Sequence, residues 1–414
     1  MKALKKIYDD NKDSLVIDPS LYARYNVKQG LRNENGTGVK VGLTRICDVV
    51  GYQMVHGQKV NKEGKLIFRN QSIQDLVNLP NAYEQTAYLL IFGKLPSELE
   101  LLIFHDTLTH ISRTDLIDET YQTKNILNAL QIEVLKLYGT DPNPDTDSLE
   151  SRMIRGITVL ASMPLFVFSN YHHMKITQYP YPDKSFAENI LCLHRQNNKV
   201  TKQEVDTLNA LLVLHADHGG GNNSTFANVV ISSTGTDIYS CISASIGSLK
   251  GPRHGGANAK VFEQFQYIFE HEGVTTDPDK LYQIAVRLLN RDYYDRSGLI
   301  YGVGHAVYTL SDPRAVAIKE ASRKLAIEKG RLMEFECLEA FEKAALQAMK
   351  DIKGIETCVN VDFYSGFTYS MLGFDSTLFT PLFCMARCAG WVAHHLENRQ
   401  NNRKLIRPSN VYIG

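Results

Sequence analysis

Two histidines in this chain stand among glycines. His305 follows Gly302 and Gly304 in GVGHAVYTLSDPR, and His254 lies between a Gly-Pro and a Gly-Gly pair in SLKGPRHGGANAKVF. Glycine lets the backbone take unusual conformations and approach ligands closely, so we expect both imidazoles on loops beside a ligand. His254 comes just before a helical run, where the helix dipole disfavours imidazolium, and a neutral His254 would donate a hydrogen bond to a developing oxyanion. A loop histidine without a role is the alternative interpretation.

Three arginines stand in settings that suit the binding of anions. Arg314 follows Asp312 and Pro313, which are typical of the N-cap and first residue of a helix through AVAIKEASRKLAIEKG. A cation at the positive end of a helix dipole is locally unfavourable, so Arg314 would help to hold an anion there. Arg387 interrupts an apolar helix face and needs a carboxylate partner, unless it extends to solvent. Arg407 precedes a proline and is held extended, with a plain surface charge as the alternative.

One aspartate, Asp362, has mostly apolar neighbours in the sequence. In CVNVDFYSGFTYS the apolar Val359, Val361 and Phe363 alternate with Asn360 and Asp362, which predicts an extended segment before a Ser-Gly turn. Burial would raise the pKa of Asp362 toward neutrality, where a carboxylate is an effective general base. An aspartate that caps a turn is the alternative.

A further pair, His215 and His218, stands one helical turn apart at the end of an apolar helix, before three glycines in HADHGGGNNST. This spacing suits zinc. Structural or catalytic zinc, however, needs three or four ligands, and neither HExxH nor a cysteine pair accompanies these residues. We therefore favour one core histidine and one loop histidine over a metal site.

These residues together fit the chemistry of a carbanion formed next to a carbonyl group. Such a reaction needs a base for the carbon acid, a hydrogen-bond donor for the enol oxygen, and a second donor for the electrophile. The arginines suit anionic groups on the substrates, the histidines suit carbonyl oxygens, and the aspartate suits proton abstraction. No metal or organic cofactor is required.

Composition and charge are those of an ordinary globular protein. The chain has 414 residues, 43% of them hydrophobic, and Lys plus Arg and Asp plus Glu both number 45. The zero formal charge argues against nucleic acid or an anionic membrane surface as the main partner. Seven cysteines without CxxC spacing are typical of reduced thiols, and the N-terminus has no signal or transit pattern, so we expect a cytoplasmic protein. The most apolar runs, 156–168 and 378–396, are interrupted by prolines and are expected to be buried helices.

The pattern along the chain changes near residue 80. Before it, VKVGLTRICDVVGY and GKLIFRNQSI alternate β-branched and aromatic residues with polar ones, which predicts a few short strands. After it, helical spacing predicts helices over 83–91, 124–138, 149–170, 185–196, 202–215 and 258–271. Neither G-x-G-x-x-G after a strand nor G-x-x-x-x-G-K-[ST] occurs, so the usual motifs of dinucleotide and nucleoside triphosphate binding are missing.

At these residues the sequence resembles the citrate synthase family. LHADHGGGN, LKGPRHGGANAKV, GVGHAVYTLSDPR, VNVDFYSG, the Arg387 helix and IRP-x-x-x-Y-x-G occur in the family's order and at similar spacing. The resemblance implies a mainly α, multi-helical fold with a large and a small domain. The large domain would comprise 81–255 and 367–414, the small one 256–366, and the β-containing segment 1–80 would pack on the large domain. It also implies a homodimer, with a hexamer as the alternative.

The resemblance also implies roles for individual residues. Asp362 would remove a methyl proton from acetyl-CoA, His254 would hydrogen-bond the oxygen of the resulting enol, and His305 would polarise the ketone of oxaloacetate and protonate the new alkoxide. Oxaloacetate would be held by His218, Arg314, Arg387 and, from the other subunit, Arg407. Phe383 matches an aromatic position beside the acetyl group, with a core phenylalanine as the alternative. Acetyl-CoA is a co-substrate, and no cofactor is implied; the residues that bind the CoA phosphates are left open.

Three other functions remain alternatives at the level of the sequence. A 2-methylcitrate synthase would use propionyl-CoA with the same residues, and one methylene in an apolar pocket discriminates by only about 1–3 kcal/mol. A non-catalytic regulator would bind CoA or a dicarboxylate without turnover. A zinc hydrolase would use His215 and His218.

Overall fold

The computed structural model describes residues 1–112, 124–401 and 404–413, and within them the chain is mainly helical, as the sequence predicts. The strands are β1 (Cys47–Val55), β2 (Gln58–Phe68) and β3 (Gln71–Ser72). The helices of the first half are α1 (Lys2–Asn11), α2 (Ser20–Arg24), α3 (Ile73–Leu76), α4 (Ala82–Phe92), α5 (Glu98–His110), α6 (Ile126–Thr140), α7 (Leu149–His172), α8 (Phe186–Arg195) and α9 (Lys202–Ala216). Those of the second half are α10 (Asn223–Ser232), α11 (Ile238–Leu249), α12 (Ala257–Glu272), α13 (Pro278–Leu289), α14 (Pro313–Glu328), α15 (Leu332–Lys353), α16 (Asp362–Met371) and α17 (Ser376–Asn401).

The chain forms two compact units of very different size. The smaller comprises residues 1–43 and 407–413 and contains α1, α2 and two 3-10 turns. The larger comprises residues 44–406 and contains everything else. The predicted division between 81–255 with 367–414 and 256–366 falls mainly within the larger unit, where it stays a prediction. The last glycine of the C-terminal motif, residue 414, lies outside the described residues.

The predicted strands form an antiparallel hairpin at the start of the larger unit. β1 pairs with β2 from Cys47 opposite Phe68 to Val55 opposite Gln58, and β3 continues the sheet beside β2. The register shifts at Gly51, between Val50 and Tyr52. Such a bulge bends a hairpin and re-aims its end.

Helix α17 is the centre of the larger unit and packs against α4, α7, α9, α10, α11 and α12. Its apolar residues surround the helix instead of forming one stripe, which is typical of a helix buried on all sides. Trp391 and Arg387 on α17 are both fully buried. Helix α7 is long and apolar enough to span a membrane by length and composition, but 89% of its apolar window is buried against other parts of this chain.

Helix starts follow the predicted capping chemistry. The side chain of Asp312 accepts a hydrogen bond of 3.0 Å from the Arg314 backbone N–H, with Pro313 as the first residue of α14. Ser97 and Thr201 open α5 and α9 with capping boxes, in which a glutamate three residues on returns a hydrogen bond to the cap. These caps fix where the adjoining loops leave the helices.

The extended segment and Ser-Gly turn predicted around Asp362 are wrong, because Asp362 opens α16. Only Val359 is paired as a strand would be, in an isolated bridge with Val303. The Asn360 side chain accepts a hydrogen bond of 3.0 Å from the Asp362 N–H, which starts the helix. Gly366 lies inside α16 since a Cβ there would meet the carbonyl oxygen of Asn258 at 2.9 Å.

Candidate active site

Seven of the eight predicted site residues belong to the larger unit, and contacts or charge interactions link them to one another. In chain order they are His218 after α9, His254 before α12, His305 and Arg314 around the start of α14, Asp362 at the start of α16, and Phe383 and Arg387 on α17. The eighth, Arg407, is exposed and belongs to the smaller unit. The sequence therefore identified a group of side chains that the fold collects from four helix termini and one buried helix.

His305 lies on the predicted glycine loop, and that loop is tied to the start of α16. Gly302 and Gly304 have φ angles of 84° and 101°, which side chains with a Cβ rarely adopt. The carbonyl oxygen of Gly302 accepts from the Asn360 N–H at 2.9 Å, and that of Gly304 accepts from the Asn360 side chain at 3.0 Å. One asparagine thus holds both the His305 loop and the beginning of the helix that carries Asp362.

The hydrogen bonds of His305 set its tautomer. Its Nδ1 accepts from the backbone N–H groups of Val307 and Tyr308, both at 3.1 Å. A neutral ring therefore carries its proton on Nε2. An Nη of Arg314 lies 3.4 Å from that nitrogen, and because a guanidinium only donates, this is a contact between two donors rather than a hydrogen bond. The ring also stacks on Tyr308, with centroids 4.6 Å apart. His305 is consequently a fixed Nε2–H donor beside a guanidinium.

Arg314 is buried and paired with its own helix cap. Its Nε and Nη2 donate to the two carboxylate oxygens of Asp312, at 3.0 and 2.8 Å. Burial acts to lower the pKa of Arg314, but Asp312 outweighs it and the pKa lies above the usual range. The sequence suggested that Arg314 needs an anion, and Asp312 partly meets that need within the chain.

Arg387 is fully buried, and only part of its guanidinium is hydrogen-bonded. Its Nε donates to the carbonyl oxygen of His215 at 2.6 Å, while Nη1 and Nη2 have no hydrogen-bond partner within the described residues. The guanidinium carbon lies 4.7 Å from the ring centroid of Phe383, one turn earlier on α17. Unpartnered buried cationic donors are costly, so this arrangement is suited to an anionic ligand.

His218 faces the same group of residues. Its ring centroid lies 5.2 Å from that of His305, and its buried Nε2 has no partner in the described part of the chain. Burial, helped by the positive charge of Arg314, holds the pKa of His218 well below its usual value. The ring is therefore neutral and can donate a hydrogen bond without adding a charge.

His254 is also neutral, and its Nε2 has a polar partner that the sequence did not reveal. Burial, reinforced by the charge of Arg387, lowers the pKa of His254 to about 4. Its Nε2 lies 3.1 Å from Ser224 Oγ, which also accepts from Trp391 Nε1 at 3.2 Å. The hydroxyl has a single hydrogen, and Asn222 Oδ1 at 2.9 Å competes with His254 for it.

Asp362 has the properties expected of a general base. Its Oδ1 is buried without a hydrogen-bond partner among the described residues. Burial raises the pKa of Asp362 to about 7, although the charges of Arg314 and Arg387 oppose the increase. The predicted increase of this pKa is thus present, with the predicted cause. A carboxylate that titrates near neutrality can take up and release a proton under ordinary conditions.

The hairpin braces the loop that carries His305, through two glycines that the sequence did not single out. A Cβ on Gly51 would lie 2.5 Å from the carbonyl oxygen of Val307, and one on Gly64 would lie 2.1 Å from that of Ser311. The Gly64 N–H donates to Ser311 Oγ at 3.2 Å. Only residues without a Cβ permit this approach.

His215 and His218, the pair whose spacing suits zinc, lie in different surroundings from one another. His215 is fully buried, and its Nδ1 lies 2.7 Å from the carbonyl oxygen of Leu211, one turn earlier in α9. Residues 1–112, 124–401 and 404–413 contain no group of three or more His, Cys, Asp or Glu side chains placed to hold a metal ion.

The candidate site as a whole offers neutral histidine donors, two guanidiniums and one carboxylate base. This combination suits proton abstraction beside an anionic carbonyl compound.

Known proteins resemble this chain over most of its length. The model of the citrate synthase family, described as its C-terminal domain, matches residues 33–409. A citrate synthase of Haloferax volcanii is 32% identical over 363 residues, covering 85% of this chain and 90% of that protein. The 2-methylcitrate synthase 1 of Corynebacterium glutamicum is also 32% identical, over 364 residues with the same two coverages.

Solved structures of citrate synthases also resemble this chain over most of its length. The citrate synthase of Thermoplasma acidophilum, in a ternary complex with carboxymethyl-CoA and oxaloacetate, has a TM-score of 0.76 at 27% identity and covers 94% of this chain and 96% of its own. That of Thermotoga maritima has a TM-score of 0.73 at 28% identity, with the same coverages.

Proposed function

The chain belongs to the citrate synthase family, and from that premise we propose that it condenses acetyl-CoA with oxaloacetate and water to give citrate and CoA. One observation carries the proposal. Arg387 keeps two buried donors without partners in the described residues, near a carboxylate, Asp362, that is equally unpartnered at Oδ1. The first is suited to a carboxylate of the substrate, and the second is suited to remove a proton from carbon.

Oxaloacetate fits the cationic side of the site. Arg314 and Arg387 would bind its two carboxylates, and His218 would donate to one of them. The Nε2–H of His305 would polarise the ketone, since the two backbone N–H groups at Nδ1 leave Nε2 as the protonated nitrogen. We further propose that Arg407 of a second subunit completes the cage.

The acetyl group fits between Asp362 and His254. Asp362 would take a methyl proton, and His254 would donate a hydrogen bond to the thioester oxygen as the enol forms. Because Nε2 of His254 faces Ser224, the donor would be Nδ1, and this tautomer requires the Ser224 hydroxyl to donate to Nε2 in place of Asn222 Oδ1. Phe383, whose ring centroid lies 6.4 Å from that of His254, would pack beside the acetyl group.

The steps then follow in order. The enol carbon attacks the ketone carbon of oxaloacetate, and His305 gives its Nε2 proton to the new alkoxide. Water hydrolyses the citryl thioester, which breaks the carbon–sulfur bond and releases citrate and CoA. The neutral histidines suit this path, because a cationic histidine beside two guanidiniums would be disfavoured.

Exposed apolar residues support a homodimer. Ile132, Leu135 and Tyr138 on α6 and Ile154 on α7 are all more than a third exposed. Apolar side chains concentrated on neighbouring helices are typical of a surface that a second copy covers.

We also propose that the protein works in the cytoplasm. All seven cysteines are free thiols, which supports this location.

Thiol release from acetyl-CoA, with and without oxaloacetate, tests the function. We expect release of free CoA only when oxaloacetate is present, with citrate as the second product. Absence of oxaloacetate-dependent thiol, together with retained binding of oxaloacetate, would instead fit a non-catalytic binding protein. Propionyl-CoA is the comparator: we expect a lower kcat/KM than with acetyl-CoA, and a higher value would assign the protein as a 2-methylcitrate synthase.

A further inference from the structure

Asp217 and His394 form a buried polar pair behind Arg387. Asp217 is fully buried and His394 is almost so. His394 Nε2 lies 3.1 Å from Asp217 Oδ2, and the same oxygen accepts from the Gly219 N–H at 3.1 Å. The other oxygen, Oδ1, has no hydrogen-bond partner among the residues that the structure describes. A buried carboxylate with an unsatisfied oxygen is costly unless a positive charge lies near it.

One face of α17 carries both Arg387 and His394. Arg387, Gly390 and His394 are spaced by three and four residues, so they share one side of the helix. Arg387 Nε binds the carbonyl oxygen of His215, and His394 binds Asp217. Between them, a Cβ on Gly390 would lie 2.4 Å from the carbonyl oxygen of Ala216 and 2.7 Å from Asp217 Oδ1. The glycine therefore lets α17 lie directly on the segment that ends α9.

We propose that Asp217, held in place by His394, is a positioning residue that serves as the internal counter-charge of Arg387 and leaves the two terminal nitrogens of that arginine for a carboxylate ligand. The inference rests on the proposed function only in taking that ligand to be oxaloacetate. His218 follows Asp217 directly, so the same carboxylate also fixes the turn from which His218 reaches the site.

Electrostatics supports the pairing. Burial acts to raise the pKa of Asp217, but His394 and Arg387 outweigh it, and the pKa lies below the usual value. Burial lowers the pKa of Arg387 to about 10, and Asp217 is the strongest group that opposes this decrease. Asp362 also opposes it, whereas Arg314 acts with burial. Among the described residues, Asp217 is thus the group whose negative charge most favours the charged form of Arg387.

Thermal unfolding of a double-mutant cycle without substrate tests the pairing. Asp217→Asn and Arg387→Met should each lower the unfolding midpoint, because each removes an opposite charge that stabilises the other buried group. In the Arg387→Met background, however, Asp217→Asn should lower the midpoint by less than it does in the wild type, since only the contacts with His394 and Gly219 are then lost. An equal or larger decrease would overturn the proposal. If Asp217→Asn alone does not fold, folding of the double variant decides the same comparison. The control is Asp237→Asn, the cap of α11, whose effect should be the same with and without Arg387.

Oxaloacetate provides the second measurement. It should raise the unfolding midpoint of Asp217→Asn by more than that of the wild type, since it supplies the negative charge that the variant lacks. An equal or smaller rise would mean that Asp217 only shapes the turn. Failure of this test leaves the proposed condensation intact, because thiol release by the wild type is measured separately. Absence of thiol release together with a positive cycle would keep the counter-charge role of Asp217 and reject the reaction.

Discussion

The carbonyl oxygen of His215 accepts a hydrogen bond of 2.6 Å from the Nε of Arg387. This contact places a guanidinium at the C-terminal end of α9, where the helix dipole favours a positive charge. It also determines which donors are available, because Nε is occupied and both terminal nitrogens lack partners in the described part of the chain. The hydrogen bond at Nε fixes the guanidinium of Arg387 and leaves Nη1 and Nη2 as a pair of donors. Two such donors side by side are suited to the two oxygens of a carboxylate.

Arg387→Leu should chiefly weaken the binding of oxaloacetate. Truncating one partner of a buried charged pair costs about 2–5 kcal/mol, which is at least roughly 30-fold in Kd. Titration calorimetry with oxaloacetate measures the change directly. Arg323→Leu, which removes a half-exposed arginine of α14, is the matched control and should leave the Kd unchanged. An oxaloacetate Kd for Arg387→Leu within about twofold of the wild type would rule out this binding role.

Asp362→Asn should abolish most turnover while leaving oxaloacetate binding intact. Removal of a general base costs roughly 10²- to 10⁴-fold in rate, and an amide of the same shape disturbs the packing little. The kcat for CoA release and the Kd of oxaloacetate separate the two effects. Asp277→Asn, at the exposed cap of α13, serves as the control. A kcat for Asp362→Asn near that of the wild type would show that another group removes the proton.

The pH profile should have one limb set by Asp362. Since burial raises the pKa of Asp362 to about 7 and the base must be ionised, kcat/KM for acetyl-CoA should rise with pH up to about 7 and then level off. His254, with a pKa lowered to about 4, stays neutral throughout this range and adds no second limb. Steady-state rates from pH 5 to 9 measure the profile; a flat profile between about pH 5 and 8 would contradict the assignment.

The raised pKa of Asp362 also makes the stability of the fold depend on pH. A carboxyl group whose pKa is higher in the folded than in the unfolded protein stabilises the fold at low pH, and this contribution is lost as the pH rises through the folded value. For Asp362 the loss falls between about pH 4, near its unfolded pKa, and about pH 7. Asp362→Asn should therefore gain stability relative to the wild type as the pH rises across this window, which chemical denaturation at several pH values measures.

The sequence alone identified those site residues that have unusual neighbours within a few positions of the chain. Glycines around His305 and His254 and a charge within the apolar stretch around Arg387 are visible without any knowledge of the fold. Helix caps and apolar periodicity likewise gave helices such as α4, α7 and α9 to within two residues at either end. These features depend on contacts within one or two turns, which a sequence displays directly.

Partners that are distant in the sequence were missed for the opposite reason. Asp217 and His394 are 177 residues apart, and Ser224 and Trp391 are 167 apart. Taken alone, an aspartate or a serine beside glycines is typical of a turn or a cap, so neither signals a buried contact. The helix at Asp362 was mistaken for an extended segment because residues 359–363 alternate, and Phe363 also begins the helical spacing with Phe367 and Met371.

Gly64→Ala should impair the site from a distance. A Cβ at this position would lie 2.1 Å from the carbonyl oxygen of Ser311 and 2.8 Å from Pro313 Cδ, so the hairpin or the loop between His305 and Arg314 must move. Because that loop carries His305 and Arg314, the proposed ketone donor and one proposed carboxylate partner, we expect the KM for oxaloacetate to rise more than that for acetyl-CoA, with a lower unfolding temperature. Gly42→Ala, outside the helices and strands, where a Cβ meets nothing within 4 Å, is the control and should change neither. If Gly64→Ala lost stability while both KM values stayed at the wild-type level, the hairpin would be a structural brace with no influence on the pocket.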